Sequence, residues 1–202
     1  YTQLAIAHTY GDGLVSSCKN TVKAVSDYLY GVKIDNYISV TMDAVSRLND
    51  CVGGVTVTVD DDMTAVDPSF VKGTTVTLLG DKALEYVRAR GAMEDSSNLA
   101  RMERQKKYLA AFVEKLADMN VTDTFLLSAY DQIAEYSVTN CDTSFISALS
   151  RKIGTYSYAG AISPKGDAQV GEKYMEFYAD EEDLINILIE LFYDRTQEPT
   201  EN

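Results

Sequence analysis

Tryptophan is absent from this 202-residue chain, histidine occurs once, and prolines and cysteines number three each. With His8 as the only imidazole, sites built on two or three histidines are excluded, and a serine or cysteine nucleophile has a single candidate partner. Cys18, Cys51 and Cys141 are widely spaced, form no C-x-x-C pair and are odd in number, so they read as small buried hydrophobes with room for at most one disulfide. No apolar run reaches the roughly 18–20 residues that span a bilayer, and no basic and apolar leader opens the chain. The expectation is a soluble chain as given. It also lacks an initiating methionine and opens inside structured-looking sequence, Gln3-Leu4-Ala5-Ile6-Ala7, which predicts an upstream part. Basic residues are outnumbered 18 to 31, and a net charge of −13 argues against a surface that wraps nucleic acid.

What is there suits a folded domain. Apolar residues make up 46% of the chain, and a length of 202 suits one domain or two small ones. Periodicity predicts a helix over Ser17–Tyr30, a short strand over Asn36–Val40, a helix carrying Met42, Val45, Leu48 and Val52, and an alternating strand through Val55, Val57 and Val59. Residues 60–73 read as loop and Thr74–Leu79 as a strand. Asp81 is placed as the N-cap of a short helix, although a strand through Tyr86, Arg88 and Arg90 also fits. From Asn98 the stripe Leu99, Met102, Leu109, Phe112, Val113 and Leu116 predicts a long helix to about Asp118. A helix from Thr122, one capped by Asp142 and a final one from Asp180, with strands over Thr155–Ile162 and Lys173–Tyr178, complete the chain. No linker or repeat is evident, so the expectation is one α/β domain over residues 1–195, a mixed central β-sheet packed between α-helices, and a disordered tail over 196–202.

Charge is unevenly distributed. Residues 86–107 carry Arg88, Arg90, Arg101, Arg104, Lys106 and Lys107 against Glu94, Asp95 and Glu103, a local +3 where the rest of the chain sums to −16. Arg101, Arg104 and Gln105 stand at i, i+3 and i+4, on one face of the first two turns of their helix. That helix start presents free amides and the positive end of the dipole, so it suits phosphate oxygens, to which arginine adds a bidentate fork. Four arginines can thus converge on one polyanionic group such as a pyrophosphate. The competing reading pairs them with Glu85, Glu94, Asp95 and Glu103 as surface ion pairs of little worth. Cations beside a helix N-terminus are disfavoured unless an anion is present, which favours the anion site. Asp60-Asp61-Asp62 could hold magnesium but reads first as a solvated loop. Asp180-Glu181-Glu182-Asp183 suits a helix start, His8 reads as structural, and Gly11-Asp12-Gly13, Gly73 and Gly80 lack the remaining residues of a nucleotide-binding loop.

The run Gly80-Asp81-Lys82-Ala83-Leu84-Glu85-Tyr86-Val87-Arg88-Ala89-Arg90, with Asp95-Ser96-Ser97-Asn98-Leu99-Ala100-Arg101-Met102-Glu103-Arg104-Gln105, resembles the signature of the LytR-CpsA-Psr proteins of bacterial cell envelopes. Ile34-Asp35-Asn36-Tyr37, Leu48 to Val57 with its Val52-Gly53-Gly54-Val55 turn, and Ala7-His8-Thr9-Tyr10-Gly11 are similar to further family segments, so the resemblance covers most of residues 4–193. It implies an extracytoplasmic phosphotransferase, tethered by an N-terminal membrane helix, that moves a glycopolymer such as wall teichoic acid or capsule from a polyprenyl-pyrophosphate carrier to peptidoglycan. It further implies that Arg88, Arg90, Arg101 and Gln105 bind pyrophosphate with Arg104 beside them, that Mg2+ assists, and that an apolar pocket takes the polyprenyl tail. Asn98 stands where the family commonly has an aspartate. The strands that carry the family's metal-binding aspartates have no counterpart here, so the magnesium ligands are expected upstream. The alternative is a non-catalytic module that captures polyprenyl phosphates or regulates the envelope, and an exposed sheet edge would invite a homodimer.

Overall fold

The computed structural model describes residues 4–89, 98–119, 121–153, 155–156, 158–171 and 175–193. A 3-10 segment, Leu4–Tyr10, leads into α1 (Val15–Tyr28), and then come β1 (Ile38–Val40), α2 (Asp43–Cys51), β2 (Val55–Thr58), β3 (Thr75–Leu78) and α3 (Asp81–Arg88). The second half holds α4 (Asn98–Asp118), α5 (Asp123–Ile133), β4 (Ser137–Thr139), α6 (Thr143–Ile153), β5 (Gly166–Val170), β6 (Met175–Ala179) and α7 (Glu181–Phe192).

The chain adopts the mixed α/β class expected of it, with its strands divided differently from the single central sheet. Among the described residues they form three two-stranded antiparallel ladders, β1 with β4, β2 with β3, and β5 with β6. β1 and β4 are far apart in sequence and are tied at their ends by Asn140, which accepts from the Tyr37 amide at 2.9 Å and donates to the Asp35 carbonyl at 2.8 Å. The stretch expected as a strand over Thr155–Ile162 forms none among its described residues. Gly160 at φ +93° interrupts extension there, and the strand falls instead on Gly166–Val170, whose residues are all exposed.

The core is built on the β2–β3 hairpin. Val55 and Val57 point inward while Thr56 and Thr58 face solvent, where they meet Thr77 and Thr75 across the ladder. Their inner face packs with Val52, Val59, Met63, Phe70, Leu78, Ala83, Tyr86, Val87 and Ala89, and with Tyr108, Ala111, Phe112 and Leu116 from α4. The hairpin, α3 and α4 therefore share one apolar interior, and the charged end of α3 sits at its margin.

A buried asparagine locks this arrangement. Asn49, fully buried at the end of α2, donates to the Leu78 carbonyl at 2.8 Å and accepts from the Val55 amide and the Tyr108 hydroxyl, both at 3.2 Å. Four elements thus meet on one side chain. Asp50 beside it accepts from the Gly80 amide at 2.8 Å and so fixes the turn that starts α3. Gly80 holds the N-cap position at φ +54°, so Asp81 is the first helical residue and not the cap expected from the sequence. Gly54 permits the tight passage into β2, since at φ +86° a Cβ there would lie 2.6 Å from the Leu78 carbonyl oxygen.

Candidate functional site: the arginine end of α3 and α4

Every α-helix ends with carbonyls that have no intrahelical donor. At the end of α3 those carbonyls are met by side chains of α4. Arg104 donates from Nε to the Tyr86 carbonyl at 3.4 Å and from Nη2 to the Ala89 carbonyl at 2.5 Å, and Gln105 Nε2 donates to the Val87 carbonyl at 3.1 Å. The contact crosses 15–18 residues of sequence and joins the two halves of the cationic island.

Within that frame the predicted site residues part company. Arg88, in the last turn of α3, is exposed and has no ion pair with any described residue. Arg101 is half-buried on α4, one turn nearer its start. Arg104 is buried, 3% exposed, and its guanidinium is turned to the α3 carbonyls. Arg90 lies outside the described residues, as do Glu94 and Asp95. The island's lysines are engaged elsewhere, Lys106 with Glu103 at 2.9 Å and Lys107 with Asp60 at 2.6 Å. Of the surface pairs that competed with an anion site, Glu103 is thus held by a lysine, and Arg88 is left facing solvent.

The other candidates are turn and cap structures. Asp60 meets Lys107, and Asp62 accepts from the Thr64 amide at 3.0 Å, which holds its carboxyl below the ordinary range. Among the described residues no group of three or more His, Cys, Asp or Glu side chains is placed to hold a metal ion. Asp180 caps α7 by accepting from the Asp183 amide at 2.9 Å. In Gly11-Asp12-Gly13, the Gly13 amide donates to the Ser17 hydroxyl at 2.8 Å, an entry turn for α1. Cys18, Cys51 and Cys141 are free thiols, Cys18 and Cys141 buried and Cys51 half-buried. No helix among the described residues is long and apolar enough to cross a membrane.

Two tyrosines flank the α3–α4 contact, Tyr86 buried and Tyr108 half-buried. The Tyr86 hydroxyl has no hydrogen-bond partner among the described residues, whereas the Tyr108 hydroxyl donates to Asn49. Burial pushes both phenols up to about 12, with Asp60 adding to the effect at Tyr86 and Asp50 at Tyr108. Tyr86→Phe removes an unsatisfied group and is expected to leave stability unchanged or raise it by about 1 kcal/mol, while Tyr108→Phe breaks a made bond and should lose about 1 kcal/mol. The raised folded-state values favour the native state fully below about pH 10, and that contribution is lost as pH rises toward about 12. Urea unfolding at pH 8 and pH 11 checks both points: the alkaline loss should shrink in either phenylalanine variant.

The sequence reading missed two features. Asn49-Asp50, which seats α3, shows only as a polar pair inside an apolar stretch. Arg104 continues the inward stripe of Tyr108, Ala111 and Phe112 at helical spacing, and that periodicity is the signal that marks it as buried.

With this geometry in hand, comparison with known proteins is direct. The LytR_cpsA_psr family model matches residues 2–183. Over 115 residues, 57% of this chain and 36% of the relative, it is 33% identical to a Bacillus cereus protein named polyisoprenyl-teichoic acid--peptidoglycan teichoic acid transferase TagU. The cell wall biosynthesis protein LcpA of Corynebacterium glutamicum is 36% identical over 123 residues, 58% of this chain and 23% of that one. The structure of TagT bound to LI-WTA superposes with a TM-score of 0.72 at 23% identity, covering 94% of this chain and 70% of TagT, a likeness of fold. The matched region is about a third of the length of the TagU relative. A family match across residues 2–183, together with the shared fold, shows that the chain belongs to the LytR_cpsA_psr family.

Proposed function

We propose that this chain forms the pyrophosphate-gripping part of an extracytoplasmic phosphotransferase that moves a glycopolymer, of wall teichoic acid or capsule type, from a polyprenyl-pyrophosphate carrier to peptidoglycan. The observation that carries the reading is the end of α3, where Arg88 is exposed and makes no ion pair with a described carboxylate in a protein of net charge −13. An uncompensated guanidinium in that setting is a ready fork for phosphate oxygens. Relatives named as teichoic acid transferases support the cargo, and the structure of TagT bound to LI-WTA is consistent with it.

In the proposed reaction an acceptor sugar hydroxyl attacks the phosphorus that bears the glycopolymer. A new P–O bond forms as the hydroxyl proton passes to solvent, the bond to the bridging oxygen breaks, and the polyprenyl phosphate departs with the charge that builds on it. Arg88, Arg90 and Arg101 would neutralise that charge, and fixed donors do so without reorganising at the moment of reaction. Gln105 is the neutral donor of the set, and in this state it serves the Val87 carbonyl. Magnesium is proposed to be bound by residues upstream of Tyr1 in the longer protein, together with the membrane anchor that places the site on the outer face.

A lipid-capture module with the same arginines would bind and not transfer. The discriminating test is transfer of a labelled lipid-linked teichoic acid precursor to peptidoglycan by the longer protein and its Arg88→Ala variant. Transfer that falls at least 100-fold in the variant is the expected result. Undiminished transfer overturns the role of Arg88, and lipid binding without any transfer by the longer protein selects the capture module.

A further inference from the structure

We infer that Arg104 is a positioning residue: its buried guanidinium holds the C-terminal end of α3, and with it Arg88, in the orientation that ligand binding requires, without itself touching the ligand. The inference rests on the reading of Arg88 as an anion ligand. It separates Arg104 from the four residues that sequence resemblance groups with it.

Three observations carry it. First, the two carbonyls that Arg104 engages, those of Tyr86 and Ala89, bracket Arg88 and span the place where the chain leaves the helix. Ala89 has already turned to φ −46°, ψ +130°, and its amide still bonds the Glu85 carbonyl, so the last turn is closed on one side by its own backbone and on the other by the guanidinium fork. Second, Arg104 is only 3% exposed, and its remaining donor, Nη1, is buried too, with no hydrogen-bond partner among the described residues. Even the donor that those bonds leave over is therefore not offered to a ligand arriving from solvent. Third, a buried charge is costly unless it is compensated. Its compensation among the described residues is the negative end of the α3 dipole, which a guanidinium at its last carbonyls satisfies. Gln105, on the Val87 carbonyl, completes the clamp.

A planar fork suits this task better than an ammonium. Its Nε and Nη2 diverge at fixed angles and bridge two carbonyls that lie three residues apart, whereas lysine offers one nitrogen. A lysine there should hold the helix end partially.

The test compares the chain with its Arg104→Met and Arg104→Lys variants by two readouts, amide hydrogen exchange of peptides covering residues 81–89, and affinity for geranylgeranyl pyrophosphate by calorimetry. Met keeps the apolar stem and removes the donors. The expected result is exchange at least tenfold faster and affinity at least tenfold weaker in Arg104→Met, with Arg104→Lys intermediate in both, so that affinity loss tracks loosening of α3. Weaker affinity with unchanged exchange overturns the inference in favour of direct ligand contact. Faster exchange with unchanged affinity overturns it in favour of a purely structural clamp, and no change in either removes Arg104 from any role. Should Arg104→Met fail to fold, Arg104→Lys carries the same comparison. A wild-type chain that binds no pyrophosphate sinks the reading of Arg88, while the exchange readout still decides whether Arg104 holds α3.

Discussion

Replacing Asn49 with alanine should cost this protein about 3–5 kcal/mol of stability, a third or more of what a domain of this kind typically has. The side chain is fully buried, and each of its polar atoms is used. Removing it leaves the Leu78 carbonyl, the Val55 amide and the Tyr108 hydroxyl to find new partners inside a dry interior, and it opens a small cavity besides. An unmade bond of this kind costs more than a made one contributes, which is why the effect exceeds a count of hydrogen bonds. Asn49→Asp should be comparably severe, since a carboxylate cannot donate to Leu78 and would set a second charge against Asp50. Urea denaturation followed by circular dichroism gives the number. A loss below about 1 kcal/mol would mean that α2, α4 and the hairpin are held together by apolar packing alone.

Arg88→Ala should have the opposite profile, an intact fold and a lost ligand. The side chain is exposed and makes no ion pair with a described residue, so its removal is expected to move stability by no more than about 0.5 kcal/mol. Affinity for geranylgeranyl pyrophosphate should fall about 100-fold, some 2.7 kcal/mol, the scale of a charge-assisted bidentate contact. Arg88→Lys keeps the charge and loses the planar fork, and should fall between the two. Calorimetric titration beside a thermal melt separates this outcome from simple unfolding, because a destabilised variant would change in both.

How far these features could be read in advance depends on whether they are local. The long helix is expected over Asn98 to about Asp118 and forms over Asn98–Asp118, because the apolar spacing from Leu99 to Leu116 leaves no competing period, although Met102 and Leu109 of that stripe face solvent. Asp142 caps its helix as expected, accepting from the Phe145 amide, while Thr122 and Asp180, expected only as helix starts, accept from the Phe125 and Asp183 amides as caps. Of the six strands among the described residues, β1, β2, β3 and β6 were legible one by one, β4 and β5 were not, and no pairing was. β1 pairs with β4 about 100 residues later, and nothing in Ile38-Ser39-Val40 names Ser137-Val138-Thr139. β5 was missed outright, since Gly166-Asp167-Ala168-Gln169-Val170 has neither alternation nor β-branched density, and its pairing with Met175–Ala179 makes it a strand.

The candidate site shows the same division. A charge count exposes the island, because six basic residues within 22 depart from an acidic background. Sorting those residues needs the tertiary contact between α3 and α4. Periodicity marks Arg104 as inward but names no partner for it, and the crossing of the two helices leaves Arg88 exposed and Arg101 half-buried and makes Arg104 a bridge to backbone carbonyls.

The central claim, that the arginine end of α3 holds a polyprenyl pyrophosphate, is tested most directly by native mass spectrometry of the purified chain and its Arg88→Ala variant after incubation with undecaprenyl pyrophosphate. The account predicts one lipid per wild-type chain, displaced by excess inorganic pyrophosphate, and none on the variant at the same concentration. Lipid retained equally by the Arg88→Ala chain would contradict it.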